Sequence, residues 1–204
     1  MNQTSPIPLA DQRTAEILDS ARIAFAEKGF DGASMQDLAR KAGMSVGNFY
    51  RYFSSKAAIV EALIALDMAE MEQAFAAILE APDPIAALRV TIAERINDSK
   101  CDGDGQLWAE ITAAARRKPE IGAAACNMEE GIAGHLTTIF ATATGVSVPE
   151  AERRWMAHAY LIVMMVKACA MQRPEMPINH DLTQLVLRNI NRTLDEIALS
   201  APKG

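Results

Sequence analysis

Between Ser34 and Lys56 two short helix-periodic segments flank Gly43-Met44-Ser45, and no other stretch of the chain restricts the possible folds as tightly. Met35, Leu38, Ala39 and Ala42 form an apolar stripe about two helical turns long. Ser34 stands at its N-cap position, with Asp37 three residues on as a capping-box partner. Gly43 ends that segment and Ser45 caps the next, which the spacing predicts over 46–53, before Ser54 or Ser55 caps a third. Two short helices joined by a glycine-containing turn of this length make a helix-turn-helix, the arrangement that sets its second helix in a DNA major groove.

The same punctuation divides the remainder. A first helix is expected over 11–28, where Ile17, Leu18, Ala21 and Phe25 share a stripe and Gly29 supplies a left-handed cap. A long helix is expected over 56–80, stopped by Pro82 and Pro84, which lack the amide proton. Further helices are expected over 85–96, 105–118, 121–143, 149–172 and 180–200. The breaks fall at Asp102-Gly103-Asp104-Gly105, Pro119, Thr144-Gly145 and the segment from Arg173 to Pro177. Half the residues are apolar, and Ala, Leu, Ile and Met outweigh the β-formers, a balance that favours helix. The expected fold is all-α, with about nine helices.

The net charge of −6 is unevenly spread: residues 1–60 hold seven Lys or Arg against six Asp or Glu, and residues 61–204 hold 13 against 20. Such a balance excludes a globally basic, non-specific nucleic-acid binder but permits phosphate contacts from cations gathered on one face. Cys101, Cys126 and Cys169 are odd in number and widely spaced, which argues for a reducing, cytoplasmic setting and against a disulfide framework or zinc site. His135 and His158 lack a metal-binding pattern, so neither a metal nor a cofactor is expected. The apolar run from Trp155 to Val166 contains His158, ends at Lys167 and is too short to span a bilayer, and residues 1–10 read as a flexible tail rather than a signal peptide. No nucleophile elbow or phosphate loop is present, so an enzyme is not expected.

The block from Gly29 to Lys56, and most specifically Gly47-Asn48-Phe49-Tyr50-Arg51-Tyr52-Phe53 followed by Lys56 and preceded by Ala39-x-x-Ala42-Gly43, resembles the N-terminal domain of TetR (tetracycline repressor) family regulators. The resemblance implies a helix-turn-helix DNA-binding domain over 11–56 and a larger helical ligand-binding and dimerisation domain over 57–204. It also implies a homodimer on a double-stranded DNA operator of approximate two-fold symmetry, and release of that operator when a small-molecule effector binds. A redox-responsive regulator acting through a cysteine is the alternative.

On the second short helix, Phe49 and Phe53 are expected to pack with Leu38 and Ile17, while Gly47, Asn48, Arg51, Tyr52 and, at the edge, Tyr50 face a groove; Val46, at the helix start, can do either. Gly47 permits close backbone approach, Asn48 matches an adenine edge, and Arg51 reaches guanine or phosphate. The tyrosine hydroxyls suit phosphate oxygens. Ser34, Gln36 and Ser45 lie at helix N-termini, where free amides attract phosphate, and Lys56 adds a cation.

In the larger part, Met68, Met71, Phe75, Trp108, Ile111, Phe140, Trp155 and Met165 are candidate walls of an effector pocket, with Glu110, His135 or His158 to orient a ligand. The last two helices are apolar enough for a four-helix interface between two copies. Met156, Tyr160, Val163 and Met164 would come from one, and Leu182, Leu185, Val186, Ile190, Leu194 and Ile197 from the other.

Overall fold

A computed structural model describes residues 9–97, 101–171 and 180–200, with the side chains of 9–11 and 101–104 excepted. The described residues form nine helices and no strand: α1 (Leu9–Gly32), α2 (Met35–Lys41), α3 (Val46–Phe49), α4 (Lys56–Glu80), α5 (Pro84–Asn97), α6 (Cys101–Ala115), α7 (Pro119–Thr144), α8 (Val148–Ala170) and α9 (His180–Leu199). The expected break from Arg173 to Pro177 and the first eight residues of the expected tail lie outside the described residues.

Two apolar cores organise these helices. The first joins Ile17, Leu18 and Phe25 of α1 to Leu38 of α2, Phe49 of α3 and Ile59 and Leu63 of α4. It does not end at residue 56: Leu107, Ile111 and Ala114 of α6 and Ile121 of α7 are buried in it as well. The second core gathers Phe75 and Ile78 of α4, Leu88 of α5, Leu136 and Phe140 of α7, Trp155 and Ile162 of α8, and Ile190 and Leu194 of α9. The uninterrupted α4 therefore runs from one core into the other. A largely buried ion pair, Arg22 to Asp67, fastens α1 alongside it. At the far end Arg89 of α5 holds α9, donating to the Asn191 carbonyl at 3.0 Å and to Asp195 at 2.5 Å.

Helix ends mostly fall where capping and proline chemistry puts them, but α1, α3 and α6 depart from expectation; α1 starts at Leu9, inside the expected tail, and continues through the kink at Gly29 to Gly32. The regular part of α3 stops at Phe49, because the Arg51 and Tyr52 amides bond to carbonyls only three residues back, at 3.1 and 3.0 Å. That tighter turn brings Phe53 into the core and leaves Ser55 free to cap α4. The segment Asp102-Gly103-Asp104-Gly105, expected as a break, lies inside α6, which starts at Cys101 and ends at Ala115 rather than Lys118. Gly105 serves packing there. A Cβ at this position would lie 1.9 Å from the Ala170 carbonyl oxygen, so α6 and α8 cross at a distance that only a missing side chain permits.

Replacing that hydrogen forces two helix backbones apart, and overpacking of this kind costs about 1–3 kcal/mol. Gly105→Ala is expected to lower the unfolding free energy by that amount in urea titrations, despite the better helix propensity of alanine.

Candidate nucleic-acid interface and ligand cavity

The helix-turn-helix is locked from within. The Ser34 hydroxyl accepts from the Asp37 amide at 3.1 Å, while the Asp37 carboxylate accepts from the Ser34 amide at 3.0 Å, completing a capping box. Lys28 donates to the same carboxylate at 2.6 Å; that bond, with those from Ser34, holds the Asp37 carboxyl well below the usual range. Ser45 caps α3 by accepting from the Asn48 amide at 3.3 Å. Both serines thus hold helix starts in place, as their cap positions require.

Phe49 and Phe53 point inward with Leu38 and Ile17, as expected from their spacing. Ser45, Val46, Gly47, Asn48, Tyr50, Arg51 and Tyr52 are all exposed, and Ser34 and Gln36 are exposed beside them on the start of α2. Val46, left open between core and groove, belongs to the exposed set. Nothing lies within 4 Å of where a Gly47 Cβ would stand. The outcome is an unobstructed ridge of an amide, a guanidinium and two phenols on a short helix, backed by a rigid aromatic floor.

Lys56 is placed differently. Its ammonium donates to the carbonyls of Phe30 at 2.6 Å and Asp31 at 3.2 Å and sits 4.8 Å from the Phe30 ring centroid. Burial holds its pKa below the ordinary lysine value, partly offset by the Asp31 carboxylate. This cation ties the end of α1 to the start of α4. The same segment is gripped from α6. Gly29 has a φ of +73°, and the Phe30 amide freed by that kink donates to the Glu110 carboxylate at 3.0 Å. A Cβ on Gly29 would stand 2.9 Å from that carboxylate oxygen. Arg117 adds an ion pair with Asp31 at 2.7 Å. Glu110, expected to orient a ligand, instead ties α6 to the end of α1.

On the other side of α6 is a cavity of about 260 Å³ enclosed by α4 to α8. Four of the expected wall residues line it: Met71, Phe75, Trp108 and Ile111. The others do not. The Met68 methyl packs over Gly131, His135 stacks behind Phe75 at 4.8 Å, and Phe140 meets Trp155 edge-on at 6.5 Å inside the second core. Met165 packs against that core as well. His158 turns toward α9, its Nε2 lying 3.7 Å from Glu196 and its buried Nδ1 having no partner among the described residues. Periodicity places these side chains inward but does not separate a cavity wall from a filled core. Sequence reasoning missed the charged lining, Glu70, Arg95, Glu129 and Lys167, of which Glu129 and Lys167 form an ion pair between α7 and α8. The available signal was a lone charge ending an apolar helix face, as Lys167 ends the run from Trp155.

The expected interface stripe splits in two. Val163, Ile190, Leu194 and Ile197 are buried in the chain's own second core, and Met156, Tyr160 and Val186 pack partly against it. Met164 at 65%, Leu182 at 43% and Leu185 at 47% exposure face outward, joined by Leu161 at 46%, which sequence reasoning passed over. A helix between a core and an outer surface carries apolar residues on both faces, and one stripe cannot be assigned to both. Of the cysteines, Cys126 is exposed and Cys169 half-buried, with burial pushing the Cys169 thiol up and away from the reactive thiolate. The Cys101 side chain lies outside the described residues. No described helix is long and apolar enough to cross a membrane.

Comparison with known proteins finds sequence similarity over the N-terminal part of the chain and likeness of fold over nearly all of it. Residues 17–63 match the family model for bacterial regulatory proteins of the tetR family. The HTH-type transcriptional regulator UidR of Escherichia coli is 30% identical over 115 residues, which cover 56% of this chain and 57% of UidR, so the chain matches little more than half of that relative's length. Among solved structures, GusR of Salmonella enterica superposes with a TM-score of 0.72 at 23% identity, over 95% of this chain and 98% of GusR. FadR of Bacillus subtilis, in complex with stearoyl-CoA, gives 0.66 at 20% identity, over 93% of this chain and 99% of FadR. At those identities the likeness is one of fold.

The grip of Glu110 on the α1 kink is open to direct measurement. Glu110→Ala leaves the Phe30 amide without its acceptor and is expected to lower stability by about 1–3 kcal/mol. Glu110→Gln, which keeps an acceptor oxygen, should lose less in the same denaturant titration.

Proposed function

We propose that this chain, whose residues 17–63 match the family model of the tetR bacterial regulatory proteins, belongs to that family and is a cytoplasmic repressor. It binds an approximately palindromic DNA operator as a homodimer and is released by a small apolar or amphipathic effector. Its role is regulatory rather than catalytic. The observation that carries the DNA-binding reading is the unbroken exposure of Ser45 to Asn48 and Tyr50 to Tyr52 around a buried Phe49. A helix that presents Asn48 and Arg51 with no side chain at Gly47 between them and the approaching groove can reach base edges. Ser34, Gln36, Ser45, Tyr50 and Tyr52 flank it with hydroxyls, an amide and helix-start N–H groups suited to phosphates.

The outward apolar residues support dimerisation. Ala157, Leu161, Met164 and Ala168 recur along the exposed face of α8, beside Leu182 and Leu185 on α9. Two copies packing these faces would form a four-helix interface and hold two reading helices at the separation of successive major grooves, about 34–36 Å. The effector reading rests on the cavity and on the elements that border it. Helix α4 lines the cavity through Met71 and Phe75 and carries Ile59 and Leu63 into the first core, while α6 turns Trp108 to the cavity and Leu107 to the DNA-reading part. A ligand that prefers one spacing of these helices shifts the population of DNA-competent dimers.

Fluorescence titrations against duplexes tiled from DNA flanking the protein's own gene test the reading. Asn48→Ala and Arg51→Ala are expected to lower discrimination between matched and mismatched duplexes by about 1–3 kcal/mol. Lys56→Ala, by loosening the seat of the motif, should weaken all duplexes alike. Unchanged affinity in all three variants would end this assignment.

A further inference from the structure

The charged groups of the cavity lie at one end of it. Helices α4 and α7 run from the first core toward the second, whereas α5 and α8 run back. Along each, the charged residue falls on the first-core side of the apolar wall: Glu70 precedes Phe75, Arg95 follows Leu88, Glu129 precedes Leu136 and Lys167 follows Ile162. Glu70 and Arg95 are exposed at the rim, while Glu129 and Lys167 are partly buried and paired. The far end is walled by hydrocarbon. The cavity is therefore polarised, with its charged end beside α6.

Resting on the effector reading above, we propose that the cavity takes a small amphipathic carboxylate, its hydrocarbon body against the second core and its anionic head on Lys167. The donor inventory decides the sign of the head. An ammonium offers three N–H groups, and Glu129 does not exhaust those of Lys167. Trp108, also in the wall, carries a donor-only indole N–H. An acceptor-only carboxylate suits the spare N–H groups of Lys167, and its hydrogen bond to the ammonium is charge-assisted. An amine head would compete with Lys167 for Glu129 and set a second cation beside the ammonium. The Glu129 pair keeps Lys167 neutralised when the cavity is empty, so the site holds no unpaired buried charge before the ligand arrives.

Calorimetric titration of the full chain with octanoate, octanol and octylamine tests the head assignment. Octanoate is expected to bind saturably, with octanol and octylamine about tenfold or more weaker, the size of one charge-assisted bond. Lys167→Gln should weaken octanoate by about the same factor, while Glu129→Gln, which frees the ammonium, should leave it equal or tighter. Octylamine matching octanoate, no binding of octanoate, or equal losses in the two variants overturns the proposal. Operator affinity measured in parallel separates it from the effector reading. Octanoate binding that leaves the operator bound refutes release and supports the head assignment, whereas release by octanol or octylamine alone supports an effector and overturns the carboxylate.

Discussion

Burial of Leu107, Ile111 and Ala114 against α1 and α4 is the contact on which the rest of this structure depends. It makes α6 part of the core beneath the helix-turn-helix although the helix lies far from it in sequence. Burying side chains of this size contributes about 1.5–3 kcal/mol each for the larger ones, so displacing α6 from the core it shares with α3 forfeits that packing. The Glu110 carboxylate under the Gly29 kink adds a directional bond to that non-directional packing. With Lys56 and Arg117 on the same short segment, the end of α1 is held by α4, by α6 and by the turn that leads into α7.

That arrangement gives the fold two working faces with a shared backbone. On one, short helices fixed by serine caps and a buried aromatic floor hold Asn48, Tyr50, Arg51 and Tyr52 outward. On the other, the same α6 closes a cavity whose remaining walls belong to the second core. Interfaces of packed helices favour discrete arrangements over continuous deformation, so a change of spacing at Trp108 has a route to α1 that passes through side chains already in contact.

Much of this was legible in the sequence where a single local rule decides the outcome. Ser34 with Asp37, Ser45 and Ser55 mark helix starts through hydrogen bonds to the first free amides, and the helices begin there. The inward set Ile17, Leu38, Phe49 and Phe53 followed from spacing alone. The readings that failed needed the position of a second element. Gly105 reads as a helix breaker until Ala170 is seen to lie against it. Phe140, Trp155 and Ile190 read as pocket or interface until the second core is seen to enclose them. Lys167 stands out in the sequence only as the charge that ends an apolar run, Glu129 not at all, and only the packing of α7 on α8 brings them together at a cavity wall.

Hydrogen–deuterium exchange on the full chain, with and without a saturating operator duplex, tests most directly whether DNA reading and the cavity share one mechanical unit. Slowed exchange is expected at 45–52 together with slowed exchange along 107–114 of α6. Protection confined to the helix-turn-helix, with α6 exchanging as it does in the free protein, would contradict a shared unit.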